Sequence, residues 1–506
     1  MQLSLNAPAA SPIAFGVVKQ LLVKVGCGPE TDHPRLAQSL RLYFPLDSAL
    51  AARVRATSVS LTDAATASEQ IRYFQRRRLQ RNHITVARYL IAQYGDIHVE
   101  IGRCQQIDES SREFLDLAST VAGWTVSYLT VSFDSPSLPA YAGEASLCDA
   151  LTGDLDVEAI VCAAWDYINV GDAWTGTALA KVLLRHEPSA RVMNMLAIGN
   201  AMLSEPERAE FYYGQWASRG GPMDRVRALY GRSMLYARHH RDGFRDLGMA
   251  EACLQEAFDI IRTLSPAMRE TDEAVFEEVF NRNGFALILF RRGDVDGALD
   301  LLRWGIDRLT KTTERVAIHR SVLIYNLAQC YNQIGDLRAA VDTYRRLLEV
   351  DPYMAEYRLE AAKSLSATGQ HEDALEQCQI AVELDDNLAV SWRGLGLALT
   401  RCDRFDDAAD AYLKAVMLEP ENSIGRADTA YVLLRLDRPD DALRILEPVD
   451  VAALGLSDTD RHFSLLAEAH LRAGRMACAV KALNDGLRVH PGSATLVDNL
   501  RRVAAS

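Results

Sequence analysis

The chain is poor in lysine and has no long apolar run. Only seven of its 55 Lys and Arg residues are lysine, and with abundant alanine this bias suggests a GC-rich, bacterial genome. No run reaches the roughly 18 apolar residues that a membrane helix needs. The N-terminus lacks the basic start and apolar core of a signal peptide, so a cytoplasmic protein that does not enter the membrane is expected. The nine cysteines are scattered without C-x-x-C spacing, which excludes a disulfide framework and points to reduced, mostly buried thiols. G-x-S-x-G, H-E-x-x-H and the dinucleotide fingerprint do not occur, so no enzyme, cofactor or metal is expected. Adjacent histidines such as His239 and His240 point apart on a helix and make a poor metal pair. The net charge of −13 argues against general nucleic-acid or anionic-membrane binding, both of which need a positive footprint. The basic run from Arg72 to Arg81 reads as a solvated helix face.

What the sequence does hold is a period. Gly335, Gly369, Asp403 and Asp437 recur at one constant interval, and each is followed, at the same short distance, by an alanine: Ala340, Ala374, Ala408 and Ala442. Pro352, Asp386 and Pro420 keep the same interval. Each period reads as two short amphipathic helices joined by a turn. In the unit from Ala389, Trp392, Leu395, Gly396 and Leu399 line one face of the first helix, and Ala408, Tyr412 and Ala415 line the second. Gly396 and Ala408 must be small where the two helices approach closely.

These positions, with their period of about 34 residues, closely resemble the tetratricopeptide repeat. In that phase about nine units span residues 157 to 492, and residues 493 to 506 form a helix end or cap. The resemblance implies a superhelical stack whose first helices line a concave groove that binds protein or peptide. The phase places Tyr325, Asn326, Gln329, Gln333, Arg393, Arg401, Asp428 and Tyr431 on that groove, where amides and tyrosines can bond a peptide backbone. Chaperone-binding members grip a C-terminal carboxylate with Lys, Asn and Arg. Asn326 falls at one such position, but the next unit presents Glu356 and Glu360 where cations are required.

Residues 1 to 135 have another texture. "FGVVKQLLVKV", "ALAARVRATSVSL", "DIHVEI" and "TVSYLTV" look like strands alternating with helices, which suggests an α/β domain with a parallel sheet. "DIHVEIGRCQQIDESSREFLDLAS" resembles the second nucleotide motif of STAND-type signal-transducing NTPases in Gln105, Asp108, Ser111 and Leu115. Gly102 and Arg103 occupy its two acidic positions. The phosphate loop would then fall at Gly26 to His33, with Gly26 and Gly28 in the turn. Asp32 and His33 stand where a lysine and a hydroxyl residue are needed. The resemblance implies the relic of a nucleotide loop, with no cofactor.

The expectation is therefore an α/β domain (1–135), a Pro, Ser and Gly-bearing linker (136–156) and an all-α repeat solenoid. Its function is that of a non-catalytic adaptor or regulator binding a protein or peptide, with the N-terminal domain docking a second partner or forming a homodimer. The alternatives are a nucleotide-responsive switch, or an accessory subunit presenting a peptide substrate to a biosynthetic enzyme.

Overall fold

The computed structural model describes residues 1–8, 12–31, 34–55, 61, 75–133, 142–152, 155–241, 243–309 and 314–505. They divide into two compact units, one of Met1–Asp336 with Glu349–Tyr353 and one of Leu337–Leu348 with Met354–Ser506. A small three-stranded parallel sheet stands at the N-terminus, followed by a long helical region.

In the first unit, β1 (Gln2–Asn6), β2 (His98–Gly102) and β3 (Thr125–Tyr128) lie in that order, with Leu3 opposite Val99 and Val99 opposite Val126. Alternation decides the faces. Leu3, Leu5, Val99 and Ile101 are buried beneath helices, whereas Gln2, His98, Thr125 and Ser127 are exposed. The covering helices are α1 (Gly16–Lys24), α2 (Pro34–Leu40), α3 (Ser48–Arg55), α4 (Gln75–Tyr94) and α5 (Glu109–Ala122). Val17, Leu21, Leu40, Val86, Leu90 and Phe114 join one core with the sheet.

Two expected strands are helices. "FGVVKQLLVKV" forms α1, because Val17, Val18, Leu21 and Leu22 repeat with helical spacing and bury one face. "ALAARVRATSVSL" contributes α3, while residues 56–60 lie outside the described residues. "TVSYLTV" is an edge strand of four residues with alternating exposure, not a buried strand.

The segment expected as a linker carries a helix, α6 (Ala142–Thr152), that is docked on both neighbours. Its buried Glu144 pairs with Lys19 of α1 and accepts a 3.2 Å hydrogen bond from the Tyr167 hydroxyl. Tyr167 lies on α7 (Val157–Val170), and α8 (Ala173–His186) follows. The Ala14 amide donates to Thr175 Oγ1 at 2.8 Å, and that hydroxyl donates to Asp172 Oδ2 at 2.6 Å. An unpaired buried charge is expensive, so these partners lock the N-terminal domain to the first helix pair.

The helical region continues with α9 (Ala190–Met202), α10 (Pro206–Arg219), α11 (Pro222–Met234), α12 (Leu247–Thr263), the short α13 (Pro266–Arg269), α14 (Asp272–Arg292), α15 (Val295–Arg308) and α16 (Glu314–Gln333). A π-turn at Leu235–His239 extends α11. In the second unit stand α17 (Leu337–Val350), α18 (Ala355–Ala367), α19 (His371–Leu384), α20 (Ala389–Arg401), α21 (Phe405–Leu418), α22 (Ser423–Arg435), α23 (Pro439–Leu446), α24 (Leu456–Arg472), α25 (Met476–Val489) and α26 (Ala494–Ala505). Within the second unit, first helix α18 lies on α20, and α22 on α24.

The repeat period has a backbone cause. Gly335, Gly369, Asp403 and Asp437 all take the left-handed conformation, with φ of 79°, 81°, 57° and 55°. In each case the next amide reaches back to a carbonyl near the helix end: Asp336 to Tyr331, Gln370 to Leu365, Arg404 to Leu399 and Arg438 to Leu433, at 2.9 to 3.0 Å. This closure stops the first helix and turns the chain into the second. Ala374, Ala408 and Ala442 are then buried at the crossing, and Ala340 is buried at the matching position of α17. At Gly396 a Cβ would meet the Tyr412 ring at 2.8 Å, which is why that position holds glycine.

Two outcomes are expected. L-residues at left-handed positions cost roughly 1–2 kcal/mol, of which glycine's unfolded-state entropy returns part. Asp403→Gly and Asp437→Gly should each stabilise the protein by about 1 kcal/mol or less in urea unfolding, and Asp403→Val should destabilise it. Asp172 is fully buried, and burial raises its carboxyl to about 6 despite Lys19 and the Thr175 hydrogen bonds. Between its ordinary range and pH 6 the folded chain holds a proton that the unfolded chain has released. Stability from this group is therefore lost as pH rises through that window, on the order of 3 kcal/mol in all. Asp172→Asn, which retains an amide oxygen to cap α8, should gain on the parent protein in melting temperature between about pH 4 and pH 7. A constant difference across that range would contradict this.

Candidate functional site

The carboxyl ends of the strands in an α/β domain form the usual ligand crevice, and here the chain fills it. Asp108 caps α5 by accepting from the Ser111 amide at 2.7 Å, and it also accepts from the Phe15 and Gly16 amides of α1 at 3.0 and 3.1 Å. The Ser110 and Ser111 hydroxyls donate to it at 2.5 and 2.7 Å. One carboxylate thus occupies the positive ends of two helices, where an anion would otherwise bind. Above β1 and β2, Asn6 exchanges two 2.8 Å hydrogen bonds with the Phe133 backbone. A Cβ on Gly102 would lie 2.6 Å from the Val131 carbonyl oxygen, so that position cannot carry the acid of a nucleotide motif. Arg103, left-handed at φ 52°, donates to Ser132.

The relic-loop reading is corrected accordingly. Gly26 turns the chain at the end of a helix, not of a strand, and Gly28 lies in the segment that follows. Asp32 and His33 lie outside the described residues. Nor are most of the thiols buried: only Cys27, Cys253, Cys330 and Cys378 are, Cys148, Cys162 and Cys478 are exposed, and all nine cysteines are free. Burial pushes Cys27 and Cys330 to about 11 and Cys378 to about 12, leaving them inert at neutral pH. Among the described residues no group of His, Cys, Asp and Glu could hold a metal ion, and no helix is long and apolar enough to cross a membrane.

The remaining candidates are the first helices of each unit. In the first unit, α16 presents Tyr325, Asn326 and Gln329 half-buried and Gln333 exposed. Asn326 Nδ2 donates to Asn283 Oδ1 of α14 at 2.8 Å, so its amide ties neighbouring first helices together. In the second unit Asp428, Arg461 and Arg393 all act electrostatically on the largely buried Tyr412 phenol. Burial and the Asp428 charge push that phenol up, while Arg461 and Arg393 oppose them. Asp428 is engaged by Arg461 at 2.6 Å. Tyr431, 43% exposed, and Arg401 lie on the accessible parts of α22 and α20. Glu360 pairs with Lys363 at 2.5 Å, so α18 offers no excess cation at the clamp position.

Sequence reasoning missed Leu397, 46% exposed, and Arg435, whose guanidinium lies 5.1 Å from the Phe405 ring. The signal was available. Leu397 precedes Tyr431, and Arg401 precedes Arg435, by the same interval that spaces the helix closures.

A tetratricopeptide-repeat family model matches residues 325–389 and 359–427, in agreement with this geometry. The chain therefore carries tetratricopeptide repeats in that region. It is similar to small glutamine-rich tetratricopeptide repeat-containing protein 2 of Mycosarcoma maydis, 30% identical over 89 residues, which is 18% of this chain and 25% of that protein. A heat-shock protein cognate co-chaperone of Aspergillus fumigatus is 34% identical over 80 residues, 16% of this chain and 24% of that protein. The chain thus spans about a quarter of the length of these curated relatives. Among solved structures, a tetratricopeptide repeat protein from Parabacteroides merdae aligns with TM-score 0.39 and 15% identity, covering 56% of this chain and 100% of that one. Pseudomonas aeruginosa pilF aligns with TM-score 0.37 and 16% identity, covering 44% and 97%.

Losing one N-cap costs about 0.5–2 kcal/mol, and Asp108 serves two helix ends. Asp108→Ala should therefore destabilise the protein by about 2–3 kcal/mol in urea unfolding. A loss no larger than the smallest single-cap effect, about 0.5 kcal/mol, would mean that the carboxylate does not hold the crevice closed.

Proposed function

We propose that this chain is a non-catalytic adaptor whose first helices hold an extended segment of a partner protein, while the N-terminal domain offers its uncovered sheet face to a second partner or a second copy. The carrying observation is in the second unit. Exposed apolar side chains, Leu397 and Tyr431, recur at the same repeat position on adjacent first helices, beside arginines. An extended peptide can seat apolar side chains on this surface while its backbone bonds the polar residues around them. The co-chaperone similarity is in keeping with a protein ligand. Among the described residues no helix covers the polar sheet face bearing Gln2, His98, Glu100, Thr125 and Ser127. Parallel sheets are seldom left uncovered on one side, which supports docking there. Nothing favours the nucleotide-switch reading, because the chain's own groups fill the crevice.

A photo-crosslinking residue placed at position 397 or 431 should capture a discrete partner from cells of the source organism. The same probe at Asp410, on the exposed face of second helix α21, should not. Equal labelling at the three positions, or none at 397 and 431, would refute the groove.

A further inference from the structure

In the second unit α20 differs in charge from the second helices that flank it. Second helices α19 and α21 carry exposed Glu372, Asp373, Glu376, Asp406, Asp407 and Asp410, whereas first helix α20 carries Arg393 and Arg401 and no acid. Among the described residues neither of these two arginines has an ion-pair or hydrogen-bond partner. Arg435, at the position equivalent to Arg401 on α22, has an aromatic ring for company and no carboxylate. By contrast, Arg404, Arg438 and Arg444, at the ends of the outer helices, are all paired with aspartates. On α20 Arg393 and Arg401, with no acid on the same helix, make a local field opposite in sign to the net charge of −13, while Asp428 of neighbouring α22 is taken up by Arg461.

Resting on the groove reading above, we infer that the second unit selects an acidic peptide segment, two carboxylates flanking an apolar residue, held by Arg393, Leu397 and Arg401. The spacing supports this. These residues stand at i, i+4 and i+8 on α20, so the arginines are about 12 Å apart along the axis. An extended chain presents residues i, i+2 and i+4 on one face, and its outer pair is about 13 Å apart. A segment of the form acid, any, apolar, any, acid therefore aligns all three of its facing side chains with the helix row. Arginine meets each carboxylate with two parallel N–H donors, and the exposed Leu397 takes the apolar side chain. Because Arg393 and Arg401 read side-chain acids, no free C-terminal carboxylate is required. That separates this site from a terminal-carboxylate clamp, whose cation positions are here Glu356 and Glu360.

The test uses the full chain and two fluorescein-labelled peptides, acetylated and amidated at their ends. One contains Glu-Thr-Leu-Thr-Glu and the other Gln-Thr-Leu-Thr-Gln, read by fluorescence anisotropy at low and at physiological salt. The Glu peptide is expected to bind at least tenfold more tightly, and to weaken with salt. Arg393→Ala with Arg401→Ala should erase that preference while circular dichroism stays unchanged, and Leu397→Ser should weaken both peptides. Equal binding of the two peptides, lost in Leu397→Ser and Tyr431→Ser, would overturn the acidic selection and leave the groove standing. Binding that none of these substitutions changes, or no binding of either peptide, would overturn both. Displacement of the Glu peptide by a short single-stranded oligonucleotide at equal concentration would also overturn the inference, assigning the row to phosphate.

Discussion

The helical region depends on one backbone constraint, the left-handed residue that ends nearly every first helix, α11 with its π-turn being the exception. It fixes where the helix stops, brings the next amide back onto a carbonyl near the helix end and aims the second helix down the first. The buried alanine that follows in the second helix, and Tyr412 lying over Gly396, follow from that aim: a close crossing leaves space for little else. Within the second unit the same geometry sets first helix α18 beside α20 and α22 beside α24. Side chains one repeat apart then fall into rows, and a row of exposed Leu397 and Tyr431 is a surface that no single helix could offer.

In the N-terminal domain the governing constraint is electrostatic. Asp108 stands at the positive ends of α1 and α5, and Lys19, Glu144 and Asp172 form a buried ionic network against the first helix pair. Satisfying these groups closes the crevice and fastens the domain. The cost is visible in Asp172, which is raised because it is shut away from water. A domain whose polar groups are consumed in this way has its sheet face and edges left with which to meet another molecule.

How much of this was legible in the sequence varied with the range of the interactions. The repeat was legible because each signature position answers to one local need, a left-handed turn or a small side chain at a crossing. Asp403 and Asp437 could be read beside Gly335 and Gly369 since aspartate tolerates that turn. The α/β domain was harder. Val17 and Val18 favour strand locally, and only tertiary burial of the face they share with Leu21 and Leu22 makes α1 a helix. The partner of the α1 N-terminus, Asp108, lies 92 residues away, so no window could reveal that the anion site is filled from within. Groove residues were partly legible. Arg393, Arg401, Asp428 and Tyr431 came from the phase, whereas Leu397 and Arg435 show as surface only once the exposure of their helices is known.

The account's central claim is that the inner layer of first helices is the ligand-binding surface. Hydrogen–deuterium exchange of the full chain, with and without a captured partner, tests it most directly. The account predicts new protection in residues 389–401 and 423–435, with little change in residues 405–418. Protection confined to residues 1–8 and 97–128 would contradict it, and would move the binding surface to the sheet.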